Sequence, residues 1–98
     1  MLHCIIVKWK DGVKPDYDCI ASLFEGVLNI DGIHKVRLVP NVTDRPNRYD
    51  LTIIVDMEPS ALPLYDESEP HHLWKSRYGE MIASKAIFDA DGHLPSEL

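Results

Sequence analysis

The stretch from Leu2 to Trp9 constrains this chain most. Read with a period of two, it places His3, Ile5, Val7 and Trp9 on one face of a strand and Cys4, Ile6 and Lys8 on the other. Both sets are largely apolar, so both faces need cover. The run Tyr49 to Met57, with Thr52, Ile53, Ile54 and Val55 in succession, makes the same demand. A sheet built on two such strands is buried on both sides. A chain of 98 residues supports one domain and one core, so part of that cover has to come from outside the chain.

The remaining pattern supplies cover for one face only. Asp11-Gly12 marks a turn and Pro15 opens a helix, along which Ile20, Leu23, Phe24, Val27 and Leu28 recur on one stripe. Asp31-Gly32 ends it, and Ile33 to Val39 forms a second strand. Asn41 to Asn47 is a polar loop, and a helical turn follows Pro59-Ser60 through Ala61, Leu62, Leu64 and Tyr65. Ser68 caps a further helix with Pro70 in its first turn, running to about Ser84 with His71, Trp74, Tyr78 and Ile82 along one side. Lys85 to Ala90 is the last strand, and residues 91–98 read as a loose polar tail.

The order βαββαβ predicts an α+β fold of the ferredoxin-like kind, a single domain with a core over 2–90 and an antiparallel sheet carrying its helices on one face. The apolar second face is then too large to leave wet. A homodimer through the open sheet face, closing two sheets into a dimeric α/β barrel, resolves this.

Charge and composition narrow the partners. Ten basic against sixteen acidic residues give a net charge of −6. That excludes a phosphate-binding surface of the kind nucleic acids require, and docking to anionic lipid. No apolar run reaches the ~20 residues of a membrane span, and the opening residues do not read as a signal peptide. The two cysteines, Cys4 and Cys19, lack the spacing of a redox or zinc motif and read as reduced thiols in a cytoplasmic protein. Without secretion the Asn41-Val42-Thr43 sequon has no meaning.

The chemistry-bearing cluster is Tyr65 through Trp74. His71 falls in the first turn of a helix, whose positive end disfavours imidazolium and leaves a neutral ring able to take a proton. Tyr65, just before that helix, can donate to a developing oxyanion. His3 shares the Ile5 and Val7 face and reaches the same region if that face lies under the helices. The alternative is local: His71 hydrogen-bonded near its own helix end, with Tyr65, Trp74 and Tyr78 as core side chains. His72 points about 100° away from His71 on a helix and reads as solvated. His71-His72 do not share a helical face, and no i, i+4 His pair occurs, so no metal site is predicted. No glycine-rich phosphate loop is present, and no cofactor is predicted.

Several further features, taken together, resemble the stress-responsive α/β-barrel family, Dabb. They are the opening Leu2-His3-Cys4-Ile5-Ile6-Val7-Lys8-Trp9-Lys10, the Ile30-Asp31-Gly32-Ile33 turn, Tyr49-Asp50, Ala61-Leu62 with Tyr65 and His71, and Ile87-Phe88-Asp89. The resemblance covers residues 2 to about 90 and implies a ferredoxin-like protomer in a dimeric barrel. It also implies a cofactor-free aldol-type cyclisation or isomerisation of a small, partly apolar carbonyl compound, as in a plant polyketide cyclase of the family. His71 would be base, Tyr65 oxyanion donor, and His3 a third site residue. Pocket-lining positions would fall on Ile5, Val7, Leu23, Ile53 and Val55, beside Trp74 and Tyr78. A magnesium described in some plant members would fall at the carbonyls of Val27, Ile30 and Ile33. This chain departs from the family at Ser68-Glu69, where His-Pro is common, and at Leu51, where the cyclase has a strand-three His. Two other function classes remain: a non-catalytic, stress-associated small-ligand-binding dimer, and a relative of the antibiotic-biosynthesis monooxygenases, supported by Trp74 alone.

Overall fold

The computed structural model describes residues 1–95. Its element order is β1 (Leu2–Trp9), α1 (Tyr17–Glu25), β2 (Ile33–Pro40), β3 (Leu51–Met57), α2 (Leu62–Asp66), α3 (Glu69–Tyr78) and β4 (Ile82–Ala90), with short 3-10 turns after α1, before α2 and after α3. The four strands form one antiparallel sheet in the order β2-β3-β1-β4.

The two apolar runs occupy the centre of that sheet. Ile5 faces Ile53 and His3 faces Val55 across β1 and β3, so their shared face is the one the helices cover. Ile5, Val7, Trp9, Leu51, Ile53, Val55 and Met57 are buried there against Ile20, Phe24 and Val27. From α2 and α3 come Tyr65, Trp74 and Tyr78. On the other face, Cys4 faces Ile54 and Phe88, and Ile6 faces Thr52 and Ala86. Among the described residues nothing covers Phe88, which is 59% exposed. The open apolar face expected from β1 is therefore present.

Local caps correct the sequence reading in places. Asp16, not Pro15, starts α1: its carboxylate accepts from the Asp18 N–H. Gly32, with φ of 90°, makes the turn into β2, and a Cβ there would lie 3.0 Å from the Ala61 Cβ. The stripe expected to bury Leu28 stops short, because the chain tightens into a 3-10 turn at Gly26 and leaves Leu28 45% exposed. The helix expected to reach Ser84 ends at Tyr78, at Gly79, and Ile82 is the first residue of β4, paired with Trp9.

The tail departs most from expectation. After Gly92 the chain turns back over the open face. Asp56, on β3, accepts from His93 Nδ1 at 2.7 Å and from the Leu94 N–H at 2.8 Å, and Lys35 Nζ donates to the Pro95 carbonyl at 2.8 Å. Residues 93–95 are thus strapped across the ends of β3 and β2. Residues 96–98 of the expected tail lie outside the described region.

Candidate active site

Three of the predicted site residues converge. His3 comes from the start of β1, Tyr65 from α2 and His71 from the first turn of α3. The ring of Tyr65 lies 4.8 Å from that of His71 and 5.4 Å, edge-on, from that of His3. Ser68 sets this geometry. Its hydroxyl donates to the Tyr65 carbonyl at 2.7 Å and accepts the His71 N–H at 3.3 Å, tying the end of α2 to the start of α3. At the same junction Pro70 packs close to Gly26, where a Cβ would come within 3.1 Å of the proline ring.

Each histidine has one nitrogen engaged. His71 Nδ1 lies 2.9 Å from the Asp66 carbonyl oxygen. A carbonyl only accepts, so Nδ1 carries the proton and, in the neutral ring, Nε2 carries the lone pair. Burial lowers the His71 pKa below the ordinary histidine value, against the Asp66 carbonyl and carboxylate, which raise it. The direction matches the sequence reading, but desolvation is the leading cause. His3 Nδ1 donates to Asp89 Oδ1 at 2.6 Å, across the β1–β4 pairing. Asp89 joins the candidate site by its contact with His3. The sequence showed it only as part of Ile87-Phe88-Asp89, and the signal that could have found it was the antiparallel register.

Tyr65 is the anomaly. It is 1% exposed, and its Oη is the only buried side-chain nitrogen or oxygen among the described residues without a hydrogen-bond partner. Burial pushes its pKa up, and the nearby Asp66 charge adds to this. Two imidazoles thus flank one unpartnered phenol. Such a set can take a proton from carbon or oxygen and stabilise the oxyanion that results.

The predicted lining residues are packed core. Ile5, Val7, Ile53, Val55, Trp74 and Tyr78 are buried in the main cluster, with Leu23 packed against it. Trp74 meets Phe24 and Trp9 edge-on and Tyr78 at a tilt, while the aromatic neighbours of His71 are Tyr65 and His72. Leu51 is also core. Surface cavities of about 650, 440 and 310 Å³ are present, and none is lined by His3, Tyr65 or His71. The Val27 and Ile30 carbonyls accept from the Ile30 and Ile33 N–H groups, so the turn after α1 closes on itself. Among the described residues no group of three His, Cys, Asp or Glu side chains is placed to hold a metal ion, and no helix is long and apolar enough to cross a membrane.

No protein-family model matches the chain, and no curated protein sequence does. Solved structures do. A dimeric ferredoxin-like protein of unknown function from Thermobifida fusca superposes with a TM-score of 0.74 at 16% identity, over 89% of this chain and 85% of its own. A dabb family protein with a ferredoxin-like fold from Mesorhizobium loti gives 0.58 at 9% identity, covering 93% and 96% of the two chains. The chain folds as a dabb family protein does. A hydroxynitrile lyase from Passiflora edulis shares this dabb-type fold, with a TM-score of 0.70 at 11% identity over 96% and 95% of the two chains.

Proposed function

We propose that this dabb-fold chain is a cofactor-independent acid/base enzyme acting on a small, partly apolar carbonyl compound. His71 Nε2 removes a proton α to the carbonyl. Tyr65 Oη donates to the enolate oxygen as charge develops. His3, held by Asp89, orients the substrate. The enolate carbon then attacks a second carbonyl of the same molecule, and the His71 proton quenches the new alkoxide, so no proton is gained or lost overall. Omitting the carbon–carbon step and returning the proton elsewhere gives an isomerase from the same parts.

The observation that carries this reading is the Tyr65 hydroxyl, buried without a partner on a ring that packs against both His71 and His3. Leaving a buried hydroxyl unmade costs about 1–3 kcal/mol. A ligand oxygen at that point would recover the loss. The lyase among the fold neighbours supports the need for a base, since cleaving a hydroxynitrile calls for removal of its hydroxyl proton. Fold alone does not assign it. In this reading Ile5, Val7, Leu23, Ile53, Val55, Trp74 and Tyr78 supply the apolar surroundings, the protein is cytoplasmic, and it works as a homodimer through the open sheet face.

Proton NMR of deuterium exchange at the α-carbon of a β-diketone panel tests the base directly. Wild type accelerates exchange, and His71→Ala and Tyr65→Phe abolish the acceleration. An unchanged rate in correctly folded His71→Ala overturns the assignment.

A second reading has its own support. None of the three surface cavities is lined by His3, Tyr65 or His71, and Ile5, Val7, Ile53, Val55, Trp74 and Tyr78 are buried core. A non-catalytic small-ligand-binding dimer fits that packing. It predicts thermal stabilisation by a ligand that His71→Ala leaves intact, with no exchange activity.

A further inference from the structure

The helix layer stops one strand short of the edge at β4. Across β3, β1 and β4, the rows on the helix side are Leu51–Val7–Lys85, Ile53–Ile5–Ile87 and Val55–His3–Asp89. The β3 and β1 members of each row are buried, and the β4 members are exposed, Ile87 to 51%. Lys85, Ile87 and Asp89 alternate with Phe88, so they lie on the side away from the face assigned to the second chain. This bare row flanks the candidate site directly, because Asp89 holds His3 and His3 packs edge-on against Tyr65.

The row has a polarity. Asp89 puts a carboxylate at the site end, and the charge of Asp66 is felt at His71 beside it. Ile87 is apolar. Lys85, opposite Val7, is a cation with no ion pair among the described residues, in a chain of net charge −6. Four residues of strand separate it from Asp89, about 13 Å of backbone. An anionic group is therefore repelled at the His3 end of the row and attracted at the Lys85 end, where a flexible stem lets the ammonium follow it. We propose that the substrate of the acid/base site carries a carboxylate remote from its reacting carbonyl. The carbonyl lies at Tyr65 and His71, an apolar middle crosses Ile87, and the carboxylate pairs with Lys85. This rests on the acid/base reading and adds to it the residue that selects the substrate.

Deuterium exchange into 7,9-dioxodecanoate and into decane-2,4-dione, the same diketone without the carboxylate, tests this in the full chain. The acid is expected to show a KM about fivefold below that of the neutral diketone, the upper end of what an exposed ion pair provides, and the advantage is expected to shrink in high salt. Lys85→Met keeps the apolar stem and removes the charge. It is expected to raise the KM of the acid to the neutral value, with kcat unchanged and the neutral diketone unaffected. Equal KM values in wild type, or a preference that Lys85→Met leaves intact, would overturn the proposal and spare the base assignment. If neither compound exchanges, the acid/base reading falls, and titration of the ¹⁵N-labelled chain with 7,9-dioxodecanoate decides the rest. Saturable amide shifts at residues 85–89 that Lys85→Met abolishes sustain the anion site, and their absence overturns it.

Discussion

At the scale of single residues, Tyr65 sets stability against function. Its ring packs in the core, but its hydroxyl is buried without a partner. Removing only the oxygen removes the penalty and keeps the packing. Tyr65→Phe is therefore expected to be neutral or to stabilise the fold by up to about 1–2 kcal/mol in urea unfolding, while exchange activity is lost. A clear destabilisation would mean that the hydroxyl has a structural partner. His71 makes a second residue-level prediction, about pH. Its folded-state pKa lies below the unfolded value near 6.5, so the unfolded chain binds the extra proton first as pH falls. Stability therefore declines as pH drops from about 6.5 through the lowered folded value. The same titration removes the base, so the exchange rate falls over that window. His71→Asn is expected to flatten the stability slope between pH 7 and pH 5, measured by chemical denaturation at each pH. These two residues were legible in sequence from their place around a helix start. Asp89 was not, because its contact with His3 depends on which residues two strands bring opposite each other.

At the scale of elements, the α2–α3 junction carries the candidate site, and Ser68 is its pin. Ser68→Ala removes the cap of α3 and the bond back to the Tyr65 carbonyl. The expected cost is about 1 kcal/mol of stability, with a larger relative loss of activity, because the two rings lose their shared anchor. A variant with normal exchange kinetics and lowered thermal stability would reduce Ser68 to a helix cap. The strands were read well from sequence, since period-two alternation over Leu2–Trp9 and the β-branched run in β3 leave little freedom. The helix ends were read less well. Apolar spacing continues through Leu28 and Ile82, but backbone hydrogen bonding changes at Gly26 and Gly79, and a tightened turn moves the next side chain off the stripe. The strap was missed for a related reason. Its polar composition argues for solvent, and what holds it is Asp56 and Lys35, on strands distant in sequence.

At the scale of the whole molecule, the decisive feature is the one read first, a central strand apolar on both faces. The helices cover His3, Ile5, Val7 and Trp9, and the protomer leaves Cys4, Ile6, Ile54 and Phe88 on a face of their own. A standard interface buries about 800 Å² per partner, roughly an eighth of the 6278 Å² surface of this chain, which one sheet face can supply. Two sheets packed face to face would place Phe88 in the contact, and it is exposed enough in the protomer that changing it should not disturb folding. Phe88→Asp puts a charge into that contact, and an unpaired buried charge is costly enough to part the chains. Light scattering on a sizing column is expected to give twice the 11.2 kDa chain mass for wild type and a single chain mass for Phe88→Asp. The variant should also lose the concentration dependence of thermal unfolding that a dimer shows. A wild-type protein that runs as a monomer at micromolar concentration would remove the open face as the dimer interface. It would leave the Tyr65–His71–His3 geometry untouched, since every contact in that set lies within one chain.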